Sequence, residues 1–148
     1  MTYQGCPPPG GPCNYKPKVL VVDDQEQDLT LARLGLERQG FRVKTHQVTG
    51  PEDLVALQER IVDKQYAFAF FDTELGNVYG PTDLAKVVES SGTNVPYIAW
   101  SNVPSSKHRA DWRETEAKGF FEKPMGMKGY QPIATAIRDS IDCKCNNN

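Results

Sequence analysis

The sequence predicts an α/β protein whose core is one open parallel β-sheet covered by helices on both faces. Short apolar runs rich in β-branched and aromatic residues alternate five times with helix-compatible stretches between residues 18 and 142. Several runs are apolar throughout, which is typical of parallel strands buried on both faces. Strands that alternate with helices favour right-handed crossover connections around a parallel sheet.

The first two repeats begin with a buried strand and an edge strand. KVLVVDD (18–24) predicts the first strand, and the apolar spacing over 25–39 predicts the helix that follows. Gly35 should weaken this helix by ~1 kcal/mol relative to alanine. FRVKTHQV (41–48) is more polar, as expected of an edge strand, and 49–65 predicts the second helix.

The other three repeats follow the same pattern, with one weak helix. In chain order they are the strand YAFAFF (66–71), a helix over 81–92, the strand VPYIAWS (95–101), a helix over 105–119, the strand GFFEKP (119–124) and a helix over 130–142. In the fourth helix Ala110, Trp112 and Ala117 do not share one face, so this helix should be marginal.

Inward-facing positions follow from the helical spacing. They are Leu29, Ala32, Leu36, Leu54, Leu57, Ile61, Leu84, Val87, Val88, Ile133, Ile137 and Ile141. Phe68, Phe70, Phe71 and Trp100 are expected in the core of the strands. Trp112 fits either the core or an exposed anchor on the surface.

Five repeats are too few for a closed eight-unit barrel, so the sheet should be open. A flavodoxin-like (βα)5 fold, doubly wound with strand order 2-1-3-4-5, is the natural candidate. The glycine patterns of dinucleotide-binding and P-loop proteins are absent from the sequence.

Composition limits the classes of function. The 148 residues predict a flexible arm over 1–17, one domain over 18–142 and a short tail over 143–148, with no output domain. A net charge of −2 argues against nucleic acid binding, and no apolar run is long enough to span a membrane. The N-terminus lacks the basic start and the apolar stretch of a secretory signal, so a cytoplasmic location is expected.

All four cysteines lie near the ends of the chain, outside the predicted strands and helices. They are Cys6, Cys13, Cys143 and Cys145. The two ends should leave the same side of the fold, so the thiols could meet as a zinc site or as disulfides. Their spacing differs from the usual zinc patterns, and free thiols are the other interpretation.

Polar side chains stand where the apolar strands end. Asp23 and Asp24 end the first strand and Asp72 the third, and these strand ends flank the switch point of the sheet. Carboxylates this close would repel one another unless a cation lay between them, and Mg²⁺ prefers such oxygen ligands. Ser101 ends the fourth strand and Lys123 the fifth, which adds a hydroxyl and an ammonium to the same edge. Each acid alone could instead cap the next helix.

These segments together resemble the receiver domain of two-component response regulators. The matching pieces are VLVVDD, FFDTELGNVYG, PYIAWS and FFEKP, in this order over roughly residues 17–142. The resemblance implies a stand-alone, chemotaxis-type receiver in which Asp72 accepts a phosphoryl group to form a 4-aspartylphosphate. It implies Mg²⁺ bound by Asp23, Asp24, Asp72 and the backbone carbonyl of Glu74.

The resemblance also implies the parts of a switch. Lys123 would pair with the phosphoryl oxygens, Ser101 would turn to hydrogen-bond them, and Phe120 would turn inward with Ser101. The peptide bond before Pro124 would be a candidate for the cis form. Glu74, Gly76 and Asn102 depart from the common pattern, and the lifetime of the phosphate stays open.

Partners follow from the same resemblance. A sensor histidine kinase or a histidine phosphotransfer protein would supply the phosphoryl group, and a downstream protein would bind the face of the fourth helix, fifth strand and fifth helix. The chain would be a monomer or weak dimer and no enzyme, beyond self-phosphotransfer and autodephosphorylation.

His46 and His108 are isolated in the sequence and are interpreted as solvated.

Two alternatives stay open. A pseudo-receiver would keep the fold as a constitutive protein-binding module. A phosphatase of the haloacid dehalogenase type also uses an aspartate after the first strand, but it needs an acid two residues later, where Gln25 stands.

Overall fold

The computed structural model describes residues 2–4, 15–63, 66–73, 75, 79–103 and 105–144, with the backbone alone for 2–4 and 142–144. The strands are β1 (Thr2–Gln4), β2 (Lys18–Asp23), β3 (Arg42–Gln47), β4 (Phe68–Asp72), β5 (Tyr97–Ser101), β6 (Phe120–Glu122) and β7 (Asp142–Lys144). The helices are α1 (Glu26–Arg38), α2 (Pro51–Asp63), α3 (Pro81–Ser90), α4 (Ser106–Arg113) and α5 (Tyr130–Arg138), and a short 3₁₀ turn (Met127–Gly129) precedes α5.

Five strands form one parallel sheet in the order β3-β2-β4-β5-β6. Since β2 is the first of the five along the chain, this is the predicted order 2-1-3-4-5, and the predicted flavodoxin-like fold is confirmed. The polar strand β3 lies at one edge, as predicted, and the short strand β6 lies at the other.

Each face of the sheet packs into its own apolar layer, because side chains alternate between the faces of a strand. Val19, Phe70 and Trp100 point into the layer shared with α1 and α5. Leu20, Phe71 and Ala99 point into the opposite layer, where side chains of α2, α3 and α4 cover them. Nearly all residues predicted to face inward are buried, and Leu54 is partly buried.

Gly35 permits the contact between α1 and α5. A Cβ atom built on Gly35 would overlap the ring of Tyr130, the first residue of α5. The glycine that weakens the isolated helix therefore allows close packing of two helices in the folded domain.

The short helix α4 depends on one anchor. Trp112 is its one buried residue, at 2% exposure, and the side chain packs near Phe71 and Tyr97. This decides between the two interpretations of Trp112 in favour of the core. Ala110 is exposed, so the apolar contact of α4 is as small as the sequence predicted.

The last helix is shorter than predicted. It ends at Arg138, and residues 142–144 instead form β7, which pairs antiparallel with β1. Cys143 stands opposite Tyr3 in this two-stranded ribbon, which the sequence did not predict. The predicted zinc or disulfide site falls on the side chains of Cys6, Cys13, Cys143 and Cys145, which lie outside the described part of the chain. No helix in the described part of the chain has the length and apolar character needed to cross a membrane.

His46 is not simply solvated, contrary to the prediction. Its Nε2 lies 2.8 Å from the carbonyl oxygen of Asp53, and its Nδ1 lies 3.3 Å from Nη1 of Arg60. The ring is therefore the neutral Nε2–H tautomer if Arg60 donates to Nδ1. The side chain ties the edge strand β3 to α2.

Candidate functional site

The predicted site lies at the carboxyl edge of the parallel sheet. Asp23 is the last residue of β2, Asp72 of β4 and Ser101 of β5, while Lys123 directly follows β6. Parallel strands present their carboxyl ends at one edge, which explains why residues up to 100 positions apart in the chain meet there.

The ammonium of Lys123 joins the carboxylates at this edge. Nζ donates to Oδ2 of Asp23 and to Oδ2 of Asp72, each at 2.5 Å, and to Oδ2 of Asp28 at 3.0 Å. Lys123 is 8% exposed and Asp23 1%, so the centre of the cluster has little access to water.

Burial and charge shift the ionisation of this cluster. Burial and the negative charge of Asp72 raise the pKa of Asp23 to about 7, against the opposing effect of Lys123. Burial alone would lower the pKa of Lys123, but Asp72 and Asp23 hold it above its usual value. Lys123 therefore stays charged at neutral pH and offsets the repulsion between the carboxylates.

Asp28 is the member of the cluster that sequence reasoning missed. It lies in the first turn of α1, which follows β2, and its carboxylate is one of three with oxygens within 4.8 Å of one another. The other two belong to Asp23 and Asp72. One signal could have found it, because the first turn of a helix that follows a parallel strand lies at the carboxyl edge of the sheet.

The loop after β5 reaches the same cluster. Ser101 is buried, and its Oγ accepts a hydrogen bond from the backbone N–H of Val103 at 3.1 Å. Asn102 extends its side chain to α1, where Nδ2 donates to Oδ2 of Asp28 at 3.1 Å. The backbone N–H of Lys123 donates to the carbonyl of Ser101 at 2.8 Å, which ties β6 to this loop.

Comparison with solved structures identifies the fold. The structure named FixJ-N superposes with a TM-score of 0.68 at 22% identity, over 84% of this chain and 94% of that chain. A CheY-like response regulator receiver domain protein from Methanospirillum hungatei gives 0.66 at 21% identity, over 84% and 94%. The chain has a response regulator receiver fold.

A third similar structure contains a phosphorylated aspartic acid and a cation. It is a response regulator protein from Burkholderia pseudomallei with a phosphorylated aspartic acid, calcium ion and citrate, with a TM-score of 0.61 at 20% identity over 82% of this chain and 71% of that chain. No protein-family model and no curated protein matches the sequence. At these identities the receiver fold is shared, and the roles of individual residues stay predictions.

The structure brings together Asp23, Asp72 and Lys123 from the predicted receiver site. Ser101 lies at the same edge, since its neighbour Trp100 pairs with Asp72 across β4 and β5. Asp24 is partly exposed at the end of β2 and is not one of the three close carboxylates, so its assignment as a metal ligand stays a prediction. Glu74 and Gly76 lie outside the described residues.

The peptide bond between Lys123 and Pro124 is trans, so the prediction of a cis bond is wrong. Trans is the more stable form of an X-Pro bond, even though the preference is small.

The predicted switch aromatic lies beside α4. Phe120 is partly buried, and the guanidinium carbon of Arg109 lies 4.9 Å from its ring centroid, which is a cation–π distance. An open groove of about 220 Å³ lies here between α4 and β6. Its lining residues are Arg109, Trp112, Arg113, Ala117, Gly119 and Phe120.

The donor set fits a hard divalent cation. Three carboxylates converge within 4.8 Å, and ionised carboxylates are oxygen ligands of the kind that Mg²⁺ binds. Burial and, after it, the nearby charge of Asp72 raise the pKa of Asp23, and a cation bound between the carboxylates would offset both effects.

Proposed function

We propose that this chain is a phosphorylation-dependent signalling switch and that Asp72 is its phosphoacceptor. One observation carries the proposal: the buried ammonium of Lys123 is hydrogen-bonded to both Asp72 and Asp23 at the carboxyl edge of the sheet. A nucleophilic carboxylate held beside a fixed cation can accept a phosphoryl group and stabilise the added negative charge.

The reaction needs one bond formed and one broken. An oxygen of the Asp72 carboxylate attacks phosphorus in a phosphohistidine of the partner kinase or phosphotransfer protein. The P–N bond breaks, its electron pair stays on the imidazole nitrogen, and an aspartyl phosphate forms on Asp72. Asp72 is partly exposed, at 15%, so a partner can reach it from solvent.

Lys123 and Ser101 would hold the phosphoryl group. The ammonium of Lys123 already lies 2.5 Å from the acceptor carboxylate, so it can pair with a phosphoryl oxygen after a small movement. Ser101 carries a hydroxyl donor at the end of the neighbouring strand. Its loop would shift when that hydroxyl turns to the phosphate.

Mg²⁺ is the proposed cofactor, with Asp23, Asp24, Asp72 and the backbone carbonyl of Glu74 as its ligands. When bound, it would neutralise negative charge on the phosphoryl oxygens. The converging carboxylates support this assignment for Asp23 and Asp72.

Output would be a protein contact on the face formed by α4, β6 and α5. Phe120 links this face to the site, because it lies three residues before Lys123 and its ring contacts Arg109 of α4. A histidine kinase or phosphotransfer protein as phosphodonor, a cytoplasmic location and a monomeric or weakly dimeric state belong to the same proposal.

Two other functions make different predictions. A pseudo-receiver would bind a partner without phosphorylation, and a phosphatase would turn over phosphate esters. The bonds from Lys123 to Asp72 and Asp23 favour the switch over the pseudo-receiver. The phosphatase needs an acid where Gln25 stands. This difference, together with the receiver fold, favours signalling over catalysis.

The test is phosphoryl gain followed by intact mass. Wild-type protein incubated with Mg²⁺ and acetyl phosphate should gain one phosphoryl group, and Asp72→Asn should gain none. Asp63→Asn removes an exposed carboxylate in α2 and should behave as wild type. Absence of gain with any phosphodonor would favour the pseudo-receiver, and steady release of phosphate from p-nitrophenyl phosphate would favour the phosphatase.

A further inference from the structure

All three donors of the Lys123 ammonium are in use. A lysine ammonium has three N–H groups, and here they face one oxygen each of Asp23, Asp28 and Asp72. A phosphoryl group on Asp72 can receive a hydrogen bond from Lys123 only after one of these contacts is released.

Asp28 is the contact that can be released most easily. Its distance to Nζ is 3.0 Å, compared with 2.5 Å for the other two carboxylates. Its side chain is 25% exposed, compared with 1% for Asp23 and 15% for Asp72, so water can replace the ammonium at its oxygen. Asp23 is further fixed, since its Oδ1 accepts the backbone N–H of Gln25 at 3.0 Å.

Asn102 holds Asp28 in this position. Its Nδ2 donates at 3.1 Å to the same Oδ2 atom that accepts from Lys123. The two residues are 74 positions apart, so the bond connects the first turn of α1 to the loop that follows β5. Asn102 directly follows Ser101, and movement of the Ser101 loop would therefore strain or break this bond.

We propose that Asp28 and Asn102 form a latch, the pair of hydrogen bonds from Lys123 and Asn102 to Oδ2 of Asp28. The latch keeps Lys123 and the loop after β5 in the unphosphorylated arrangement, and it opens when Asp72 is phosphorylated. Both residues are positioning residues, since they act through Lys123 and Ser101. The inference rests on the proposed function of Asp72. The latch lowers the rate at which Asp72 accepts a phosphoryl group.

The kinetic test compares Asp28→Ala, Asn102→Ala and the double variant. Initial rates of phosphoryl gain from acetyl phosphate are measured by intact mass at several Mg²⁺ concentrations. Each single variant should react about fivefold faster than wild type, the effect expected from loss of one ordinary hydrogen bond. The double variant should be no faster than the singles, because both substitutions open one latch.

Gln27→Ala is the matched control. Gln27 is exposed on the same turn of α1 and should leave the rate unchanged. Unchanged rates in Asp28→Ala and Asn102→Ala, or independent effects that multiply in the double variant, would overturn the latch. A higher half-saturating Mg²⁺ concentration in Asp28→Ala would overturn it as well, since Asp28 would then be a metal ligand.

A second measurement does not depend on phosphorylation. The side-chain amide signals of Asn102 in a ¹H–¹⁵N NMR spectrum are assigned by their loss in Asn102→Ala. They should move in Asp28→Ala and stay in place in Gln27→Ala. No movement overturns the latch and leaves the proposed function intact. Absence of phosphoryl gain in the wild type overturns the proposed function, and the gating role of the latch with it.

Discussion

At the scale of single residues, the site combines groups that would be unfavourable alone. Asp23 is almost fully buried with two other carboxylates close by, and the charged side chain of Lys123 is buried as well. A buried charge is tolerated when it is paired and hydrogen-bonded. The ammonium meets this condition by donating hydrogen bonds to three acids at once.

His46 provides a prediction about pH. Burial lowers the pKa of His46, an effect that Arg60 adds to and the carbonyl of Asp53 opposes. The unfolded chain, with a histidine pKa of ~6.5, then binds more protons than the folded chain at pH values just below that pKa. The contribution of His46 to stability should therefore be present above that pH and decline as the pH falls through it.

Urea denaturation of wild type and His46→Gln at pH 7.5 and pH 5.5 measures this contribution. Wild type should lose more unfolding free energy than His46→Gln on going to the lower pH. Equal losses in wild type and His46→Gln would show that the ring is solvated, as the sequence suggested.

At the scale of the elements, helix packing decides what a glycine does. In an exposed helix, Gly35→Ala should raise the unfolding free energy by up to ~1 kcal/mol. In this fold the added methyl group would overlap the ring of Tyr130, so overpacking should lower it by ~1–3 kcal/mol instead. Urea denaturation of Gly35→Ala distinguishes the two signs.

A double variant identifies the cause. In a Tyr130→Leu background the ring is gone, and Gly35→Ala should destabilise less than it does in wild type. An equal loss in both backgrounds would mean that Tyr130 is not the residue the methyl group meets.

Helix α4 is packed less tightly than α1 and α5, since Trp112 is its single buried residue. This limited packing suits α4 to rearrange.

At the scale of the whole molecule, the described cores do not involve the chain ends. Every residue of the two apolar clusters lies between 15 and 141, while the β1–β7 ribbon joins residues 2–4 to 142–144. A two-stranded ribbon by itself is marginally stable. Removal of residues 1–14 should therefore lower the unfolding free energy only slightly.

Cooperative urea unfolding and phosphoryl gain at Asp72 check this prediction in the shortened chain. Both should persist. A broad transition, or a loss of several kcal/mol, would mean that the ribbon is part of the domain core and that the predicted boundary near residue 18 is misplaced.

The sequence by itself determined the fold and most of the strand-end residues. Strand runs such as residues 66–71 are apolar because both faces of the strand are covered. Such an unbroken apolar run can be recognised from the sequence alone. The carboxyl ends of parallel strands must share an edge, so Asp23, Asp72, Ser101 and Lys123 could be assigned to one site from their positions alone.

Only the tertiary structure decided which side chains meet between elements. The hydrogen bond between Asp28 and Asn102 joins residues 74 positions apart, and this pairing has no signal in local sequence. The role of Gly35, the burial of Trp112 and the pairing of β1 with β7 are of the same kind. Hydrophobic periodicity predicts which face of a helix or strand is buried. Which atoms a buried side chain contacts depends on how separate helices and strands are placed in three dimensions.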